Sequence, residues 1–197
     1  MGVFAALGTA LCWAIAARLF RGTGNAFSPL TMNFWKGLIS IAISAVDLVV
    51  VQPTGLSTHA VLWLLLSGLI GIGIGDTCFF KALQSIGDSQ AVLVAETLAP
   101  LFTALFAMAF IGEWITWQQW VGVAVVLFSV DMVIKVRKRS TTHVFATSGY
   151  LYGVGAALCQ AVGAVVSRDI LSAGEIDAAS AAFLRLVGGM IFVVPFI

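Results

Sequence analysis

The stretch Gly71–Pro100, GIGIGDTCFFKALQSIGDSQAVLVAETLAP, puts Asp76, Lys81 and Glu96 into sequence that otherwise reads as the interior of a lipid bilayer. A charge at the bilayer centre costs about 2.5–3.5 kcal/mol on insertion scales, so such groups face a polar cavity or one another and mark solute or proton pathways. Asp76 lies ten residues before Ile86, in the short connection QSIGDS, and Glu96 lies ten after it. At 1.5 Å per residue, two antiparallel helices joined there carry both carboxylates at one depth, roughly 15 Å from the turn. Facing each other in a poorly solvated site, they favour a shared or bound proton, which makes proton coupling the natural hypothesis. The bland alternative is that one acid pairs with Lys81 or hydrogen-bonds a neighbouring backbone group. Asp76 and Lys81 stand five positions apart, about 140° round a helix, which is poor geometry for a pair on one face. Pro100 removes the helical hydrogen bond to the Glu96 carbonyl, leaving an acid beside a backbone break, although a tolerated kink accounts for the proline equally well. Thr103 joins Glu96, Asp76 and Pro100 as a pathway candidate.

Helices must carry these groups across a membrane. Of 197 residues, 60% are hydrophobic and only 10% charged, with a mean hydropathy of +1.06. That is too little charge to cover a soluble domain, and it fits an all-α, multi-span membrane bundle. Seven apolar runs are long enough to cross about 30 Å of hydrocarbon. They cover about Val3–Phe20, Pro29–Val51, Ala60–Leu83, Gln90–Ile111, Trp117–Ile134, Gly149–Val166 and Ala178–Ile197. Cys12, Cys78 and Cys159 sit inside such runs without metal-ligand spacing and read as small packing residues. The first run lacks the basic start and cleavage site of a removable signal, so it reads as the first span.

The chain repeats itself. GTALCWAIAARLFR at Gly8–Arg21 aligns with GAALCQAVGAVVSR at Gly155–Arg168, which pairs Trp13 with Gln160; after a two-residue insertion Lys36 aligns with Arg185. Five spans separate the starts, and an odd number inverts the second copy, the arrangement of secondary transporters that bind substrate between their halves. Two inverted five-helix units would make ten helices. Seven are present, and the last run reaches Ile197 without a polar tail, as a fragment would. The expected units are residues 1–139 and the opening of a second at 140–197. Arg18, Arg21, Lys36, Lys81, Lys135, Arg137, Lys138 and Arg139 fall on one side, which charge bias makes cytoplasmic, with the N-terminus outside. Lys36, Lys81 and Arg185 then read as structural or topology charges.

Spans three to five resemble the end of a five-helix unit of the EamA type, in the drug/metabolite transporter superfamily. The resemblance is carried by Phe80, Ala82 and Leu83 closing span three, Ala91 opening span four, Pro100 in its middle, Gly112 and Glu113 at its end, and Gly122 in span five. Trp13, Ser28 and Pro29 fit the same pattern. Lys36 departs from it, standing where an Arg is usual. The resemblance implies ten helices in two inverted repeats and export or exchange of small organic solutes such as metabolites, amino acids or drugs. It also implies an N-terminus inside, against the charge bias, so orientation stays open.

Other motifs carry less. Gly68, Gly71, Gly73 and Gly75 follow no strand and make no nucleotide loop; Gly71 and Gly75 form a small-xxx-small pair for close helix approach. KVRKR directly follows a span and reads as a topology or anionic-lipid signal, not a nucleic-acid site. Trp114, Trp117 and Trp120 read as an interfacial belt, with Glu113 interfacial beside them. A seven-helix receptor or pump suits the span count but leaves the repeat unexplained, and a non-transporting scaffold leaves the buried acids unexplained. His59 and His143 lie in connections far from both acids, which gives an enzyme little to work with. The sequence therefore points to a multi-pass cell-membrane transporter, with a small molecule, the lipid bilayer and protons as partners and no implied cofactor or metal. Trp13, Asp76, Glu96, Pro100, Thr103 and Gln160 line the expected pathway.

Overall fold

The computed structural model describes residues 2–24, 26–51, 57–112, 114, 116–138, 147–174 and 176–197. They form seven helical rods: α1 (Gly2–Thr23), α2 (Pro29–Val51), α3 (Thr58–Ile86), α4 (Asp88–Ile111), α5 (Trp117–Lys138), α6 (Thr147–Ser172) and α7 (Ala178–Phe196). Among the described residues α3, α4, α6 and α7 are long and apolar enough to cross a membrane.

Local chemistry sets the helix ends. Ser57 accepts the Ala60 amide at 3.1 Å to start α3, and Asp177 accepts that of Ser180 at 2.9 Å to start α7. Before α5, the Gln119 side chain accepts the Thr116 amide at 2.8 Å, half of a capping box. Gly87 alone joins α3 to α4, at φ 90° and ψ 163°, a backbone region that only glycine enters readily. Beside it the Arg21 guanidinium donates to the Leu83 carbonyl at 2.9 Å, a cation on the C-terminal end of a helix dipole. The helix α6 outruns its apolar stretch and continues through Arg168 and Asp169, because Ile170 is buried in a cluster with Ala60, Leu64, Ile176 and Ala181.

Small residues decide the packing. The core contains Ala17, Ala82, Ala91, Ala95 and Ala156 around Phe79, Phe80 and Leu83, while Phe4, Leu7, Leu11, Ile15 and Leu19 form an exposed apolar stripe along α1. Apolar faces turned outward and small residues turned inward are the membrane pattern, where close backbone approach holds helices together. The closest crossing is between α3 and α7: a Cβ on Gly68 would stand 1.9 Å from the Arg185 carbonyl oxygen. Gly71 and Gly75 face α6, where added Cβ atoms would lie 3.5 Å from Gly163 Cα and 3.2 Å from Cys159 Cβ.

The rods lock into a directional arrangement around the α3–α4 hairpin. The end of α1 reaches Gly87 through Arg21, whereas α6 begins there, with Gly149 against Ser85 and Ile86. The start of α2 is tied to the end of α3 by Gln84, which donates to the Phe27 carbonyl at 3.0 Å. α7 instead starts at the far end of α3, where Ala181 packs with Ala60. So α1 and α6, whose sequences align, run in opposite directions, and so do α2 and α7.

Candidate functional site

Two acids sit on the hairpin, and two other helices each bring one of them a donor. From α1, the Trp13 ring stacks on Phe79 with centroids 5.6 Å apart, and its Nε1 donates to Glu96 Oε1 at 2.7 Å. This bridge sets Glu96 level with Phe79, about one turn along α3 from Asp76. From α2, Lys36 forms an ion pair with Asp76. The two carboxylates are close enough for their charges to interact, and Asp76 also acts on Arg185. Each acid nevertheless has its own partner, so their bonds do not run to each other.

Below Asp76, the backbone of α3 departs from α-helical bonding. Leu69–Ile74 is a π-helical stretch, and Asn33, one turn before Lys36 and only 1% exposed, serves it. Asn33 Nδ2 lies 3.0 Å from the Ile72 carbonyl, 3.1 Å from that of Gly73 and 3.0 Å from Thr77 Oγ1. A widened turn exposes carbonyls that a membrane cannot hydrate, and a buried amide satisfies them. In α4 the helix continues through Pro100, and its own π-helical stretch comes later, at Ala107–Ile111. Beside Glu96 the helix therefore continues, with Pro100 lacking the amide that would have bonded the Glu96 carbonyl, and the irregular backbone lies toward the end of the helix.

A cavity of about 780 Å³ opens beside this apparatus, between α4, α6 and the start of α5. Glu96, Pro100 and Thr103 line it from α4, and Gln160 and Arg168 line it from α6. Trp114, whose sequence position suggested a headgroup belt, lines it as well, together with Gln119. Toward Gly87 the space closes just beyond Glu96. There α6 lies directly on the hairpin: a Cβ on Gly153 would stand 3.0 Å from Val94, one on Gly149 2.5 Å from Ile86, and Tyr150 hydrogen-bonds Gln90. The lining residues of the cavity thus run from Glu96 toward the Gly112 end of the bundle, and on the Gly87 side of Glu96 α6 packs on the hairpin.

The sequence candidates divide accordingly. Glu96, Pro100, Thr103 and Gln160 meet in one cavity wall, and Trp13 touches it only through Glu96. Asp76 lies outside that wall, with Lys36. Lys81 is apart from both acids, its ammonium 4.8 Å over the Tyr152 ring. Arg185 is wedged between α3 and α6, its Nη2 beside Gly71 and Gly163. Glu113 and the side chains of the KVRKR run lie outside the described residues. Asn33 and the partnership of Lys36 with Asp76 escaped the sequence reading. An amide and a lysine one helical turn apart inside an apolar run was the signal available for them.

Among curated proteins, none matches the chain. A family description matches residues 1–134, all of α1 to α4 and most of α5, and it is that of the EamA-like transporter family. By that match over two thirds of its length the chain, a multi-span helical membrane protein, belongs to the EamA-like transporter family.

Proposed function

We propose that the chain works as a secondary transporter of small organic solutes in the cell membrane, passing them by alternating access through the cavity that ends at Glu96. The observation that carries this reading is a cavity whose lining runs from Glu96 toward the Gly112 end, with α6 packed closely on the hairpin between Glu96 and Gly87. A membrane-embedded acid needs such a reason to be there. Residues 1–139 act as one five-helix unit and 140–197 open a second, inverted one. The opposed courses of α1 and α6, and of α2 and α7, support that division.

In this mechanism Glu96 binds a proton or the cationic group of a solute. Trp13 orients the carboxylate by donating to one oxygen, leaving the other free to take the incoming group. Thr103 and Gln160 supply polar contacts along an otherwise small-residue wall, and Pro100 leaves the Glu96 carbonyl without its helical donor as one more acceptor. Energy comes from an ion gradient or from exchange.

Uptake into proteoliposomes, with and without an imposed pH gradient, tests the proposal. Wild-type protein is expected to concentrate solute when the gradient is present, and Glu96→Gln to lose at least about tenfold in gradient-driven rate, the scale of one lost charge-assisted hydrogen bond. Unchanged gradient-driven uptake by Glu96→Gln would remove Glu96 from the mechanism. No uptake of any solute class by the wild type would favour a scaffold.

A further inference from the structure

Asp76 has two cations within electrostatic reach and an ion pair with only one. Lys36 and Arg185 are aligned by the internal repeat and arrive from α2 and α7, which run in opposite directions. Lys36 holds the carboxylate. Arg185 comes toward it through a slot made of glycine: its Nη2 would lie 3.5 Å from a Cβ on Gly71 and 3.4 Å from one on Gly163. An added methyl would be in ordinary contact with the guanidinium at both places, and at Gly163 it would first meet backbone, 2.9 Å from the Ser67 carbonyl oxygen and 3.1 Å from Gly71 Cα. The charge of Asp76 acts on Arg185, yet its buried Nε has no hydrogen-bond partner among the described residues. A buried cationic donor left unmet is costly and calls for an explanation, and a second state in which it is met supplies one.

The backbone between the slot and Asp76 can supply the movement. It is the π-helical stretch Leu69–Ile74, which Asn33 steadies from α2, the same helix that carries Lys36. Tightening that stretch to α-helical bonding turns the residues after it by roughly 100° relative to those before, one residue's share of a turn. Asp76 is the second residue after it. The two arrangements are closely matched in content: each has one ion pair at Asp76 and one cation without it. An exchange that conserves the number of ion pairs is a rearrangement a two-state element can use.

We propose that Asp76 is an exchangeable counter-ion, bonded to Lys36 in the state described here and to its repeat partner Arg185 in a second state. The two pairings bias the opposite access states of the transporter. The proposal rests on the alternating-access reading above and adds to it the element that alternates.

Cysteine accessibility tests it without knowledge of the solute. With Cys12, Cys78 and Cys159 replaced by serine, Ala104→Cys in the cavity wall is labelled by a membrane-impermeant maleimide in right-side-out and inside-out vesicles. Lys36→Met is expected to shift the ratio of the two labelling rates by about fivefold or more, and Arg185→Met to shift it the other way, the usual range of a coupling between states. In an Asp76→Asn background neither substitution should move the ratio, and Lys36→Arg should keep the wild-type value. If the methionine variants do not reach the membrane, Lys36→Gln and Arg185→Gln make the same comparison. Shifts in the same direction, or shifts that persist without Asp76, would overturn the exchange and leave the transporter reading standing. A site labelled from one face only in every variant would overturn both.

Discussion

Alanine at Gly68 is expected to unseat α7 from α3. Its methyl group would stand 1.9 Å from the Arg185 carbonyl oxygen, whereas ordinary contact begins near 3.4 Å, so the two backbones must part by about 1.5 Å. The obstacle is backbone, which cannot swing aside as a side chain would. Overpacking costs about 1–3 kcal/mol, and a gap of 0.5–1 Å already forfeits a quarter to a half of each dispersion contact along the seam, so about 3 kcal/mol is expected. Gly188 lies at the same crossing, 2.1 Å by the same measure from the Leu65 carbonyl oxygen, and its alanine variant should cost as much. Once one methyl has separated the helices the second finds room, so the double variant should cost clearly less than the two singles together. Gly155→Ala is the control: nothing lies within 4 Å of its Cβ position, and alanine in a helix gains about 0.5–1 kcal/mol over glycine. Reversible unfolding in mixed micelles of increasing SDS fraction reads all four variants. A Gly68→Ala protein as stable as Gly155→Ala, or a strictly additive double variant, would refute the close backbone crossing as the force that seats α7.

Two further outcomes follow from the helix ends. Gly87→Ala should destabilise by about 1–3 kcal/mol, because φ 90° with ψ 163° is essentially closed to other residues; the Arg21 guanidinium, 2.7 Å from the added methyl, also loses its place, and the same SDS titration checks it. Asp177→Ala should cost about 1 kcal/mol of cap. The Ser180 hydroxyl and amide hold the Asp177 carboxyl below its usual range, so this contribution is present above the ordinary carboxylate pKa and disappears as pH falls through the lower folded value. Wild type and Asp177→Ala should therefore differ in stability at neutral pH and converge in strong acid, and a difference that persists there would contradict the assignment.

Apolar run length made the seven helices legible, and the short QSIGDS connection made the α3–α4 hairpin legible, because both are local consequences of what lipid and turns demand. Glu96, Pro100 and Thr103 were readable together because they lie on one helix. The partner of Asp76 was not readable. The sequence geometry disfavoured Lys81, which sits over Tyr152, and the ion pair comes from Lys36, forty residues away on another helix. Nothing in a single chain's periodicity fixes which faces of α2 and α3 meet. The irregular backbone was equally hidden: Pro100 advertised a break, whereas the π-helical stretches lie at Leu69–Ile74 and Ala107–Ile111. The former contains Gly71 and Gly73 and is held by an asparagine whose role appears only once α2 is placed.

Placing α1 and α2 also explains why two acids at nearly one depth differ in chemistry. α1 runs down to the Gly87 end of the hairpin and α2 runs back from it, so Trp13 and Lys36 reach nearly the same level on adjoining helices. Tryptophan gives Glu96 one neutral donor on one oxygen and leaves the carboxylate facing the cavity. Lysine gives Asp76 a full counter-charge, and neither residue lines that cavity. A hydrogen bond from a neutral donor leaves an acid able to take up a proton or a cation, whereas an ion pair commits it until a rival cation replaces the first. In the proposed mechanism this difference gives Glu96 the task of meeting what enters the cavity and Asp76 that of registering which of two helices is near.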